Sequence, residues 1–490
     1  MQNYMGNLAA RMSKPLRIRL GGNGMDASRY VPSLKVPIEI TDDSNFQTIR
    51  TNFGPRLVDI LDGMMQKVGK MQFYLALSTL FPDGFDDMVK FAAYAKEKLG
   101  DSVDAWMLGN EPDLYSSHGK RPGYGIEDYI PEIETYISKL KDANVIGDEP
   151  MVAGPTTCCG WDVNDVLNAG LDKLPYKYYT IQQYPHNICK GPNNQNTNIS
   201  HYLDHTKVDP YLTGQKVAIK HIEELGVPLI LSEFNSVSCG GSNISNTFAM
   251  SLWVADVGLK AASMNFTAIF IHTREQGITY NLFDPPAPDR SLEPEWSTGS
   301  PYYGALFLSE VTSEGGNMII DLNLNNSETN SHSKVAGYAI YDDAGAKRGK
   351  LALLNFGAEE QVFSIPPGTV EDSVTVRLLL APDVYERRNI SWAGQTIKEN
   401  GILEGERVDV EVKCSEGCKV RVPGPGAALI ALDDVEEGRA KLFKGDSTVQ
   451  ALTAGYFEEG EDEESAAVRR MVVSLTAMVL TGLVGLIHWW

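Results

Sequence analysis

Ala105-Trp106-Met107-Leu108-Gly109-Asn110-Glu111-Pro112-Asp113 and Pro228-Leu229-Ile230-Leu231-Ser232-Glu233-Phe234-Asn235 are built alike. In each, a short apolar run with strand character leads directly to a glutamate. The two glutamates stand 122 positions apart, Glu111 to Glu233. Carboxyls at the ends of two distant strands can converge at the mouth of a barrel. Paired carboxylates on either side of a scissile bond do the work in most glycosidases.

Outward from these segments, strand-like runs alternate with helical patterns to about residue 275. The runs are 16–20, 71–77, 105–108, 151–154, 179–183, 228–231 and 266–272. Between them, 86–99 carries Met88, Phe91, Ala92 and Ala95 near helical spacing, and 129–140 carries Ile130, Ile133, Ile137 and Leu140. The stretches 2–12, 211–225 and 248–264 also read as helices. Such alternation predicts a parallel sheet, most simply a (β/α)8 TIM barrel. Only seven strands can be counted, so the barrel is expected to lack its first strand, with that strand and a secretory leader lying upstream of Met1.

Past Pro294 the pattern changes to short strands at 335–341, 350–355, 361–365, 373–380, 408–412, 419–422 and 427–432, separated by turns such as Pro366-Pro367-Gly368 and Asn400-Gly401. That predicts an antiparallel β-sandwich. The expected division is a catalytic barrel over 1–300, a C-terminal β-sandwich over 301–435, an acidic linker over 436–470 and a hydrophobic tail over 471–490. The tail is long enough to cross a bilayer. It follows small residues, as a lipid-anchor signal does, and a retained transmembrane tail is the alternative.

The chain of 490 residues is 43% hydrophobic, enough for a large core, and its net charge of −21 disfavours nucleic acid or a polyanion held on a broad basic surface. The six cysteines, Cys158, Cys159, Cys189, Cys239, Cys414 and Cys418, show no zinc spacing, so no metal and no cofactor is expected. Cys414 and Cys418 can close a small loop. Asn-x-Ser/Thr sequons at Asn198, Asn243, Asn265, Asn325 and Asn389, together with disulfides, fit a secreted glycoprotein that touches a membrane only through its tail.

With one strand restored to the count, Glu111 follows the fourth strand and Glu233 the seventh, which is the order of acid/base and nucleophile in the largest clan of barrel glycosidases. Carboxyls about 5–5.5 Å apart leave no room for water between them, so one attacks carbon and configuration is retained. Glu233 is then the ionised nucleophile, and Glu111, its pKa raised by burial and by Glu233, the acid/base. Asn110 can bond the sugar 2-hydroxyl. Tyr184, in Gln182-Gln183-Tyr184-Pro185, can donate its phenol to Glu233. Arg19, in Ile18-Arg19-Leu20-Gly21-Gly22-Asn23, can place positive charge beside the nucleophile, and Asn23 and Asp26 can hold sugar hydroxyls.

These segments, with Ser232-Glu233-Phe234-Asn235-Ser236-Val237, resemble the fungal β-glucuronidases of glycoside hydrolase family 79. Ser391-Trp392-Ala393-Gly394-Gln395-Thr396 and Val422-Pro423-Gly424-Pro425-Gly426-Ala427-Ala428-Leu429 resemble that family's C-terminal β-domain, and the likeness runs over about 14–432. The resemblance implies an exo-acting, retaining enzyme that frees glucuronic acid or its 4-O-methyl form from glycan ends. It implies that tyrosine and backbone donors hold the sugar carboxylate, with Tyr280 one of them and the loop 236–242 supplying backbone donors. Ser238 stands where a second tyrosine is expected. The alternatives are another clan A β-glycosidase, glucosidase-, xylosidase- or heparanase-like, or a surface glycan-binding relative with impaired catalysis.

Overall fold

The computed structural model describes residues 1–44, 49–286, 295–313, 316–342, 349–432 and 485–488. Seven strands, Leu16–Leu20, Met71–Leu77, Val103–Leu108, Val152–Thr157, Tyr176–Gln183, Leu229–Phe234 and Phe266–Ile271, pair side by side in chain order, every pair parallel. Helices follow them on the outside, so the strands are covered on both faces. That is why most of them read as near-continuous apolar runs, although Leu16–Leu20 alternates through Arg17 and Arg19. Val103–Leu108 and Leu229–Phe234, which deliver the two glutamates, are buried at every position.

The helices take their places by apolar stripe. Phe85–Leu99 buries Phe85, Met88, Phe91, Ala92, Ala95 and Leu99, with Asp86 and Asp87 in its first turn and Lys96 and Lys98 in its last, complementing the helix dipole. Lys216–Leu225 is a separate helix from Val208–Leu212. The single helix expected over 211–225 is therefore broken around Thr213-Gly214, where Gly214 lies against the Gln183 amide. The opening helix ends at Ala9, short of the residue 12 that its sequence suggests.

The eighth place of the barrel is taken by Gly485–His488, which runs antiparallel to Phe266–Ile271, with Ala268 opposite His488 and Ile271 opposite Gly485. This part of the expected hydrophobic tail is thus a strand. The rest of the tail, 471–484 and 489–490, and the acidic stretch 436–470 lie outside the described residues. No helix among the described residues is long and apolar enough to cross a membrane.

The second layer is an antiparallel sheet of seven strands: Gly316–Asp321, Val335–Asp342, Gly349–Asn355, Gly426–Ala431, Ser373–Leu380 and Ser391–Trp392 in spatial order, with Val410–Lys413 also on Ser373–Leu380. Period-two alternation gives it two apolar faces. Ala352, Leu354, Leu379, Ala427 and Leu429 join the core shared with the barrel, whereas Leu353, Leu378, Ala428 and Ile430 face a second core with Ile365, Val420 and Val422 of a two-stranded sheet, Gln361–Ile365 with Cys418–Val422. Between barrel and sheet lies Phe248–Ser263, buried along almost its whole length.

Charged clusters pin this contact. His205 is gripped by Asp256 at 2.9 Å and by Asp321 of the β-layer at 3.0 Å, and Asp256 also accepts the Tyr338 hydroxyl at 2.6 Å. Burial opposes its charge, but the two aspartates prevail and push His205 up to about 10. Glu310 gathers Arg11 at 3.1 Å, Arg407 at 2.8 Å and Arg377 at 3.3 Å. Disulfides join Cys189 to Cys239 and Cys414 to Cys418.

Candidate active site

Glu111 and Glu233 both sit just where their strands end. Leu231 lies opposite Ile181 and Glu233 opposite Gln182, so Ser232 is an extra residue and the strand bulges there. A bulge re-aims the next side chain, here Glu233 toward the barrel axis. Glu111 is turned by its backbone: it adopts the left-handed region at φ 48°, after Gly109 at φ 79°. A β-carbon on Gly109 would strike Thr79 Oγ1, so glycine is needed there for space as well as for φ.

Glu233 is 6% exposed and fully engaged. Arg19 Nη1 donates to its Oε2 at 2.6 Å and the Tyr184 hydroxyl to its Oε1 at 2.7 Å. His272 Nδ1 stands 3.3 Å from Oε1 and 2.5 Å from the Tyr184 oxygen. Burial raises the Glu233 pKa, but His272, Arg19 and Tyr184 outweigh it and hold the carboxyl down at about 2. Burial also lowers His272, to about 4. At neutral pH His272 is therefore uncharged, and the Arg19 cation and the Tyr184 hydroxyl are what sustain the carboxylate.

Arg19 spans to the other strand end, its Nη2 donating to Asn110 Oδ1 at 2.7 Å, and Gln182 Nε2 donates to the same oxygen at 2.9 Å. Asn110 thereby has its oxygen fixed and its amide nitrogen, Nδ2, buried without a protein partner. A buried donor in that state is a ready site for a ligand hydroxyl. Glu111 receives one long contact, from Asn23 Nδ2 at 3.4 Å, and Asn23 in turn accepts from Lys120 at 3.0 Å. Burial first, then the negative charges of Glu233 and Asp113, push Glu111 up to about 8. One carboxyl is thus held ionised and its neighbour protonated at neutral pH.

The other candidates separate. Tyr280 is buried 3.3 Å from His272 Nδ1 and beside Arg274. The loop 236–242 packs against it: a β-carbon on Gly241 would meet the Tyr280 ring at 3.0 Å. Asp26 lies deeper, fully buried, accepting the Tyr115 hydroxyl at 2.6 Å and the Thr79 amide at 3.1 Å, so both its oxygens already have protein partners. His272, Gln182, Arg274 and Lys120 escaped sequence reasoning. His272 had a usable signal, since it directly follows the strand Phe266–Ile271.

Residues 337–429 match the family model described as the glycosyl hydrolase family 79 C-terminal beta domain. The C-terminal sheet layer is thus a family 79 β-domain. Among curated relatives, a β-glucuronidase of Aspergillus niger is 25% identical, over 87% of this chain and 85% of its own length. A β-glucuronidase of Neurospora crassa is also 25% identical, over 78% of this chain and 74% of its own. Of solved structures, a 4-O-α-L-rhamnosyl-β-D-glucuronidase of Fusarium oxysporum, bound to Rha-GlcA, superposes with a TM-score of 0.72 at 18% identity, over 88% of this chain and 91% of that one. An α-L-arabinofuranosidase of Thermotoga maritima shares the fold with a TM-score of 0.58 at 14% identity, over 88% and 89%.

Proposed function

We propose that this chain is a retaining exo-β-glucuronidase that releases terminal β-linked glucuronic acid, or its 4-O-methyl form, from glycans. One observation carries the reading: two neighbouring strand-end carboxyls whose surroundings drive their pKa values apart, Glu233 down and Glu111 up. Glu233 attacks the anomeric carbon while Glu111 gives its proton to the departing oxygen. Glu111, now a carboxylate, then takes a proton from water, which opens the Glu233 ester with the original configuration restored. Asn110 Nδ2 donates to the sugar 2-hydroxyl and Asn23 to a neighbouring hydroxyl. Tyr280, with Arg274 beside it, faces the sugar carboxylate. The names of the curated relatives support a glucuronide substrate.

The two disulfides support an extracellular site of action. The lipid-anchored form rests on the apolar sequence 471–490 alone; enzyme found free in the medium, with none released from cells by a phosphatidylinositol-specific phospholipase, removes it. The activity is tested with 4-nitrophenyl β-D-glucuronide against the β-D-glucoside, following the first-formed anomer by proton NMR. Preferential release from the glucuronide, with the β-anomer first, is expected. Release from the glucoside alone overturns the substrate, α-anomer first overturns retention, and undiminished turnover by Glu233→Gln removes that residue as nucleophile.

A further inference from the structure

Two of the six cysteines, Cys158 and Cys159, take no part in the disulfides, which use the other four. They are neighbours in sequence, directly after the strand Val152–Thr157, and their sulfurs stand 2.6 Å apart. That is well inside the contact distance of two separate sulfur atoms. Cys158 is half-buried and Cys159 exposed, so the pair forms part of the surface.

This loop is fastened to the segment that carries Glu111. The Glu111 amide donates to the Thr156 carbonyl at 3.1 Å. In return the amides of Cys158, Cys159 and Gly160 all donate to the Asp113 carboxylate, at 3.2, 2.9 and 2.6 Å. Gly160 is needed for this closeness, because a β-carbon there would lie 2.6 Å from the Asp113 carbonyl oxygen. The sulfurs consequently keep a fixed position beside Glu111. Arg19, Tyr184 and His272, by contrast, surround Glu233.

We propose that Cys158 and Cys159 are joined in a disulfide between adjacent residues, and that its sulfurs form an apolar ledge on which the leaving-group sugar of the glycan rests. The bond forms by exchange with a disulfide oxidant: the two thiols give up two electrons and two protons, one S–S bond forms here, and the oxidant's S–S bond becomes two thiols. The inference rests on the glucuronidase reading, in which Glu111 faces the glycosidic oxygen and the departing sugar lies on its outer side. A C–S–S–C unit is polarisable and carries no charge, so it meets the C–H face of a sugar ring without the desolvation that a thiolate would need. Asp113 and Glu111 beside it oppose a thiolate further.

The test combines a thiol count with kinetics, on the full chain secreted by an oxidising host. Unreduced protein unfolded in denaturant is expected to take up no iodoacetamide, and fully reduced protein six equivalents. The double variant C158S/C159S, checked for an unchanged melting temperature, is expected to raise KM for a glucuronosyl-galactose disaccharide about fivefold, the loss of roughly 1 kcal/mol of apolar contact. Its inhibition constant for free glucuronate, which occupies only the Glu233 side, is expected to stay unchanged. Two equivalents of label on Cys158 and Cys159 in the unreduced protein overturn the bond, and an unchanged disaccharide KM overturns the ledge. A wild-type chain that neither binds glucuronate nor cleaves any glucuronide refutes the glucuronidase reading instead, and the thiol count still decides the bond.

Discussion

Replacing Arg19 by Met removes the one group among the described residues that touches Glu233 and stays charged at neutral pH. The guanidinium is 1% exposed, with Nη1 2.6 Å from the carboxylate. Unit charges about 4 Å apart attract by about 4 kcal/mol at an effective dielectric constant of about 20, which is about three pH units for the carboxyl. Starting from about 2, the Glu233 pKa in the variant should rise to about 5. A nucleophile works only when ionised, so activity is lost as pH falls through its pKa. The kcat/KM profile of the wild type should be level down to about pH 4, while Arg19→Met should show a new acid limb near pH 5 and a lower plateau. Arg19→Lys, which keeps a cation, should return most of the limb toward the wild-type position. The assay is hydrolysis of 4-nitrophenyl β-D-glucuronide across pH 3–9, with melting curves at each pH to exclude unfolding. An Arg19→Met profile superimposable on the wild type in shape would refute the claim that Arg19 holds Glu233 ionised.

The alkaline side should belong to Glu111, whose acid form is needed: activity should fall as pH rises through about 8, and Glu111→Gln should keep far more activity on a 2,4-dinitrophenyl glucuronide, which leaves without a proton, than on a disaccharide. His205→Ala should lower stability by about 3 kcal/mol at pH 7 in urea titrations, since it leaves the buried Asp256 with the Tyr338 hydroxyl but without its cation, while Asp321 keeps Lys260 at 2.9 Å. Because folding raises the His205 pKa from 6.5 to about 10, that contribution is complete below pH 6.5 and lost as pH climbs through 10, so wild type and variant should converge there. Gly109→Ala should destabilise by at least about 1 kcal/mol and depress kcat more than KM, because it forces the backbone that aims Asn110 and Glu111.

The strands that carry Glu111 and Glu233 were legible because burial on both faces writes them as plain apolar runs, and the glutamates because each closes such a run. The β-layer strand Gly316–Asp321 was not, since Met318 is 44% and Ile320 44% exposed, an apolar pattern pointing outward. The surface sheet of Ser28–Tyr30, Arg50–Phe53 and Ile38–Asp42 was missed for a related reason, as Ile38–Asp42 is exposed throughout. Gln182 and Lys120 act through single contacts that no spacing announces. The Cys189–Cys239 bond joins loops brought together by parallel pairing of His186–Asn187 with Val237–Ser238, a tertiary event without a local signature. The depth of Asp26 was equally hidden, because the tyrosine that claims its carboxyl comes from the chain 89 positions later.

The large antiparallel sheet has no face of its own to offer to water over much of its area: one side completes the core of the barrel and the other completes the core of the small sheet. The barrel therefore has no finished interior without the sheet, and the sheet, which owns the smaller core, bares its other face without the barrel. Calorimetry should accordingly record a single endotherm for the described body, with the van't Hoff and calorimetric enthalpies in agreement, and a gene cut near residue 300 should yield two insoluble products in place of two domains.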